Sequence, residues 1–297
     1  MKISILSLIK AILGLTLLFG IALLGYHGYS RLPGILKGLT TVERKPSTSP
    51  GQEIIVTIPK GASLSQVGSI LEEKGVISSK LVFKLVAFIR GEQRKIKAGD
   101  YALKTGSDAG EVLDQLISGK TLMIAITIPE GYDMFQVADL LQQSGIASRE
   151  DFLAAAQDPA FLKELGIDGT SVEGYLFPDT YFLRYSEKGD IRLMIRRMVQ
   201  RFNQIYEKYV KETAEQYGWT KAQVLTLASM IEKEAKASEH ALVSAVFHNR
   251  LRQNMKLQSD PTVIYGVKAM GSKITKNDLN RKHPYNTYQI NGLPPGP

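Results

Sequence analysis

Thr57-Ile58-Pro59-Lys60-Gly61 returns seventy positions later as Thr127-Ile128-Pro129-Glu130-Gly131, and the match continues through Gln66-Val67 and Gln136-Val137, Leu71 and Leu141, Gly75 and Gly145. Self-similarity at a fixed offset means one supersecondary unit used twice. In each copy a β-branched run predicts a strand and Pro-x-Gly a turn. A helix follows that carries Val67, Ile70 and Leu71, or Val137, Leu140 and Leu141, inward until a glycine closes it. Joining both copies in one sheet is the simplest structural use of such a pair, with ligand binding by both as the alternative.

Between the copies, spacing predicts an apolar helix over Leu81–Ile89, a strand over Gly99–Leu103, and a helix through Val112, Leu113, Leu116 and Ile117 that ends at Gly119. Residues 53–120 thus read as a small α+β module. Beyond Glu150 the pattern becomes mostly helical, with helices expected at 149–157, 190–217, 220–236 and 239–253. The fold class is α+β, with the mixed, mostly helical part over 121–297.

Residues Ile3 to Tyr26 are almost entirely apolar, broken only by Ser4, Ser7, Lys10 and Thr16, which is long enough for a transmembrane helix. A small-x-small cleavage site is missing after Leu24, so 1–26 reads as an uncleaved anchor and 27–52 as a juxtamembrane linker. Lys2 before the span and Lys10 near its start are balanced by Arg31 and Lys37 after it, which leaves orientation open. Of the net charge of +8, the first fifty residues supply +5. That basicity suits a membrane lipid surface rather than nucleic acid, for which there is no interleaved basic and aromatic stripe. The absence of cysteine rules out thiolate metal sites and cysteine nucleophiles. His240 and His248 lack an HExxH pattern, and no GxSxG or phosphate-cradling glycine loop occurs, so neither metal nor cofactor is expected. The sequence stops at Gly292-Leu293-Pro294-Pro295-Gly296-Pro297, a turn-forming stretch, and a further C-terminal segment is expected beyond it.

Two acids lie near the end of the helix that Thr220 is expected to cap. Glu232 has Lys236 four residues ahead and reads as half of an exposed ion pair. Glu234 has only apolar neighbours behind it, Leu227, Met230 and Ile231, and no cation ahead. Burial and the negative helix end would both favour the protonated form that a general acid needs. A helix-edge glutamate bending to water is the ordinary alternative. Three loops combine rings with amides and carboxylates: Glu173, Tyr175, Asp179 and Tyr181 in the first, Gln258, Asp260 and Thr262 in the second, Tyr285, Asn286 and Tyr288 in the third. Sugars have apolar faces and hydroxyl edges, so these ten residues are candidate saccharide contacts, with core-facing aromatics in polar loops as the competing reading.

Glu173-Gly-Tyr-Leu-Phe-Pro-Asp-Thr-Tyr181, Ala228-Ser-Met-Ile-Glu-Lys-Glu234, Phe247-His-Asn-Arg-Leu251, Leu257-Gln-Ser-Asp-Pro-Thr-Val-Ile-Tyr265 and the final Tyr-Asn-Thr-Tyr and Gly-Leu-Pro-Pro-Gly-Pro, in this order, resemble the YceG-like endolytic murein lytic transglycosylases, the MltG family. The resemblance covers essentially the whole chain. It implies a LysM-like module before a catalytic domain, an anchor in the bacterial inner membrane with the catalytic part outside the cytoplasm, and peptidoglycan synthases as working partners. It also implies Glu234 as the catalytic residue. The implied reaction cleaves the MurNAc-GlcNAc β-1,4 bond of peptidoglycan glycan strands without water. Glu234 protonates the glycosidic oxygen, then as a base helps the muramic 6-hydroxyl close a 1,6-anhydro ring. A hydrolytic muramidase would need a second carboxylate, for which Glu173, Asp179 and Asp260 are the loop candidates. A non-catalytic wall-binding scaffold would need none.

Overall fold

The computed structural model describes residues 51–268 and 271–297. The expected span and most of the linker after it lie outside the described residues. Among those described, no helix is long and apolar enough to cross a membrane. The chain forms two compact units, one reaching to Met123 and including Arg184–Ser186, the other comprising Ile124–Leu183 and Glu187–Pro297.

In the first unit β1 (Glu53–Ile58) runs antiparallel to β2 (Gly99–Lys104), with Glu53 opposite Lys104 and Ile58 opposite Gly99. Among its described residues three α-helices accompany the strands: α1 (Leu64–Glu73), α2 (Lys80–Ile89) and α3 (Ala109–Ser118). Ser63 and Gln66 form a capping box at α1, satisfying two of the amides a helix start leaves open. Asp108 caps α3, which Gly119 ends in the left-handed region at φ 70°. Val56, Leu71, Phe83, Leu103, Leu113 and Leu116 fill the core. Asp100 is fully buried and accepts from Thr57 Oγ1 at 2.6 Å and from the amide and hydroxyl of Ser186, both at 2.8 Å. Burial pushes its carboxyl up, but these donors outweigh it and hold the group below the usual carboxylate range.

The second copy of the repeat belongs to the other unit. Its strand β3 (Met123–Thr127) pairs with β4 (Thr180–Arg184), not with β1. The expectation of one shared sheet is therefore corrected: two separate two-stranded sheets form. Each copy still makes its helix, the second as α4 (Met134–Gln143), with Asp133 and Gln136 as capping box. The first of the three expected loops ends earlier than its composition suggests, because Thr180 opens β4, in which Tyr181 and Leu183 alternate inward.

The remaining helices are α5 (Arg149–Ala156), α6 (Pro159–Glu164), α7 (Ile191–Tyr209), α8 (Lys211–Gln216), α9 (Lys221–Glu234), α10 (His240–Arg252), α11 (Pro261–Ile264) and α12 (Lys276–Asn280). The single helix expected over 190–217 is broken at Val210, which ends α7 and starts α8. Tyr206, Val210 and Ala214 keep four-residue spacing across the break, so periodicity conceals it. The main core gathers Val137, Leu141, Phe152, Phe161, Met194, Ile195 and Met198. A smaller core of Leu227, Met230, Phe247 and Leu257 holds α9 against α10.

Candidate functional site

Thr220 and Gln223 form a capping box at the start of α9, and the helix ends at Glu234, after which Ala235 is extended. Leu227 and Met230 are spent on the small core. Because the helix stops there, the apolar wall does not continue past Glu234, and its side chain is exposed. The apolar enclosure expected for Glu234 is absent. So is the expected isolation, since Ser259 Oγ donates to Glu234 Oε2 at 2.7 Å.

Ser259 is fully buried and doubly fixed. Its amide donates to Thr287 Oγ1 at 2.9 Å, and its carbonyl accepts from Thr262 Oγ1 at 2.6 Å. The two threonine hydroxyls lie 2.8 Å apart. Gln258, in the left-handed region at φ 52°, donates its backbone N–H to the Thr287 carbonyl at 3.2 Å. Beside this frame the Tyr288 hydroxyl donates to Asp260 Oδ1 at 2.7 Å. Burial, that hydrogen bond, and the charges of Asp260 and Glu234 push the Tyr288 phenol up to about 12, so it remains a donor at neutral pH.

A second group surrounds a cleft of about 620 Å3. Its wall includes Tyr132, Asp133, Glu173, Glu232, Tyr265 and Tyr285. Glu173 is buried at its base; Glu173 Oε2 accepts from the Met134 amide at the start of α4 at 3.0 Å and from the Tyr265 hydroxyl at 2.9 Å. Burial dominates and pushes the Glu173 carboxyl above the usual range. Tyr265 packs on Tyr285 with ring centroids 5.0 Å apart, and burial and the neighbouring Glu173 push its phenol up as well. Glu232 is not held by Lys236 as expected: His240 Nε2 lies 4.0 Å from Glu232 Oε2. A Cβ at Gly131, which has φ 73°, would sit 3.2 Å from Glu232 Oε1, so glycine keeps this close approach open. Glu232 and Lys233, rather than Glu234, line the cleft, and Thr262 belongs to both groups.

The ten expected contacts therefore divide. Glu173, Thr262 and Tyr285 line the cleft, while Asp260, Gln258 and Tyr288 stand with Glu234. The other four are committed to structure. Tyr175 is buried edge-on against Phe202 with centroids 5.3 Å apart, and the Tyr181 hydroxyl donates to the Phe177 carbonyl at 2.5 Å. Asn286 is fully buried, with its amide nitrogen donating to the carbonyls of Asp278, Leu279 and Arg281. Asp179 accepts from the Thr180 amide and from Arg201 Nε, both at 2.8 Å, which hold its carboxyl below the usual range. Tyr175, Tyr181 and Asn286 are thus buried within their loops, whereas Asp179 stays partly exposed beside Arg201.

Residues 56–297 match the sequence profile of the YceG-like family. The chain belongs to the YceG-like family. This YceG-like chain is 32% identical over 276 residues to the endolytic murein transglycosylase of Bacillus subtilis, covering 87% of the chain and 74% of that protein. It is 30% identical over 309 residues to the protein of the same name from Streptococcus pneumoniae, covering 93% of the chain but 55% of the relative. A crystal structure of a yceG-like protein from Listeria monocytogenes matches with a TM-score of 0.56 and 33% identity, covering 82% of the chain and 85% of that structure.

Sequence reasoning missed Ser259, Thr287 and Tyr265 as site residues of this YceG-like chain, although each stands inside a quoted motif. A serine beside Asp260 at the mouth of a turn was the available signal. Its pairing with a carboxylate 25 residues away was not.

Proposed function

We infer that the chain is an endolytic peptidoglycan lytic transglycosylase, which cuts the MurNAc-GlcNAc β-1,4 bond and leaves a 1,6-anhydromuramic end. The observation that carries this reading is Glu234, an exposed carboxylate aimed by the buried Ser259, in a chain whose relatives are named endolytic murein transglycosylases. Glu234 acts first as acid on the glycosidic oxygen and then as base toward the muramic 6-hydroxyl, so one carboxylate serves both halves of the reaction. Ser259 orients it. Tyr288 and Asp260 form a polar edge suited to sugar hydroxyls, and Tyr285 with Tyr265 offers ring surface in the cleft. Of the three other carboxylates, Asp179 is paired with Arg201 and Glu173 is buried beneath Tyr265, while Asp260, the one that stands with Glu234, accepts from the Tyr288 hydroxyl; product analysis separates its use as a second carboxylate from the one-carboxylate reaction. Residues 1–26 anchor the protein in the inner membrane, 53–120 form a LysM-like module, and the enzyme cuts nascent strands close to the membrane, alongside peptidoglycan synthases.

Mass spectrometry of products released from sacculi tests this. Anhydromuramyl ends are expected. Reducing ends carrying an oxygen from water would make the chain a muramidase, and no product despite sedimentation with sacculi would make it a scaffold. Glu234→Gln is expected to abolish cleavage with folding preserved, while Glu232→Gln is mild. The reverse order would move the acid to Glu232.

A further inference from the structure

Helix α2 is apolar on two sides, but the fold covers only one. Phe83 and Ala87 enter the core of the first unit. On the opposite side Leu81, Leu85, Phe88 and Ile89 are exposed, Leu81 at 69% and Phe88 at 70%. Their spacing of four, three and one places all four within about 100° of arc at 100° per residue, a continuous stripe rather than scattered apolar residues. Lys84 borders it.

Charge decides what suits this stripe. Between Lys80 and Lys97 stand Lys80, Lys84, Arg90, Arg94, Lys95 and Lys97 against Glu92, with Glu72 and Asp114 reaching in from the neighbouring helices and Lys95 lying 3.7 Å from Glu92. Arg90 is engaged by Asp114 and Glu92, and Lys97 by the Ser118 carbonyl, while Lys80 reaches Glu72 only at 4.0 Å and Arg94 is exposed. A second copy docked on the same face would bring the two basic flanks together and be repelled. An apolar helix face bordered by Lys84 and followed in sequence by the exposed Arg94 and Lys95 is instead suited to the surface of an anionic bilayer. The chain before the described residues agrees. The apolar run ends at Tyr26, and residues 27–50 can extend at most roughly 80 Å, so a module following an anchor could not leave the neighbourhood of the membrane.

We propose that the exposed face of α2 is a membrane-docking surface, with Leu81, Leu85, Phe88 and Ile89 entering the interface of an anionic bilayer and Lys84, Arg94 and Lys95 meeting its headgroups. The anchor reading enters only as the means of delivery. The chain has no cysteine, so one introduced cysteine reports without background. The full-length protein carrying Leu81→Cys, labelled with an environment-sensitive dye, is reconstituted with vesicles of phosphatidylcholine alone or mixed with phosphatidylglycerol. Both are doped with a lipid-borne nitroxide quencher. Docking gives blue-shifted, quenched emission on the phosphatidylglycerol vesicles, weaker quenching on phosphatidylcholine, and none from a label at the exposed Glu73→Cys. Leu85→Glu with Phe88→Glu, both at exposed positions, should remove the signal while leaving the circular dichroism unchanged. An unquenched Leu81 label on anionic vesicles overturns the proposal. Flotation of the same sample then separates the two readings: protein that floats keeps the anchor and loses only the docking, and protein that does not float loses both. Emission that shifts with protein concentration but not with lipid assigns the face to a second copy and likewise overturns it.

Discussion

Replacing Ser259 by alanine isolates one interaction at the site. The Ser259 hydroxyl makes the 2.7 Å bond to Glu234, whereas its ties to Thr287 and Thr262 run through its own amide and carbonyl and survive the substitution. The loop should therefore keep its place, and the loss should fall on the orientation of Glu234. A hydrogen bond to a charged group contributes about 1.5–3 kcal/mol, and because Glu234 is exposed to water we take a discounted range of about 1–2 kcal/mol. At 1.36 kcal/mol per tenfold in rate, this corresponds to a fall in kcat of roughly 5- to 30-fold. KM should change little, since the hydroxyl is occupied with the carboxylate rather than facing the cleft. The assay is release of anhydromuropeptides from sacculi under saturating substrate, beside thermal unfolding, which should move by no more than a few degrees. Activity within twofold of the parent would refute the orienting role of Ser259. A large loss of melting temperature would show that the network, rather than this one bond, had been measured.

Glu173 gives a pH-dependent outcome. Burial raises its folded-state pKa above the ordinary value of 4.5, so the unfolded chain ionises first as pH rises. Its contribution to stability is complete in acid, is lost as pH climbs through the raised pKa, and is flat above it. Glu173→Gln lacks this loss and should gain melting temperature relative to the parent on going from pH 4 to pH 8; a parallel offset at both pH values would contradict the burial argument. Thr262→Val removes the hydroxyl that joins the Ser259 carbonyl to Thr287 and leaves both short of a partner in a buried site. Urea unfolding should report a loss of about 1–3 kcal/mol, and an unchanged midpoint would mean the threonine network adds nothing.

Local elements were legible where one residue sets local geometry. Thr220 as the cap of α9, Gly119 as the stop of α3, and the strand-turn-helix device in both repeat copies all follow from short-range chemistry. Long-range partnerships were not. The repeat predicted the same local structure twice, and it forms twice, but β3 takes β4 where β1 takes β2. Strand pairing depends on which edges meet in space, and nothing within the copies encodes that. The same limit governed the site loops. Tyr175, Tyr181 and Asn286 have the composition of sugar contacts, yet each is buried on the inner side of its loop, a matter of tertiary packing that composition cannot report.

The sequence by itself determined the α+β class, the duplicated unit, the position of Glu234 in the last turn of a helix, and the motifs that mark the family. These rest on periodicity, capping and short words in the chain, all local quantities. Only the tertiary structure decided what surrounds that carboxylate. It removed the expected apolar enclosure because α9 ends at Glu234, and supplied Ser259 from a loop 25 residues away. It also turned Glu232 toward His240 and the cleft. A helical pattern fixes the direction in which a side chain leaves the helix, but the partner it meets there comes from a distant part of the chain, and only the folded molecule brings the two together.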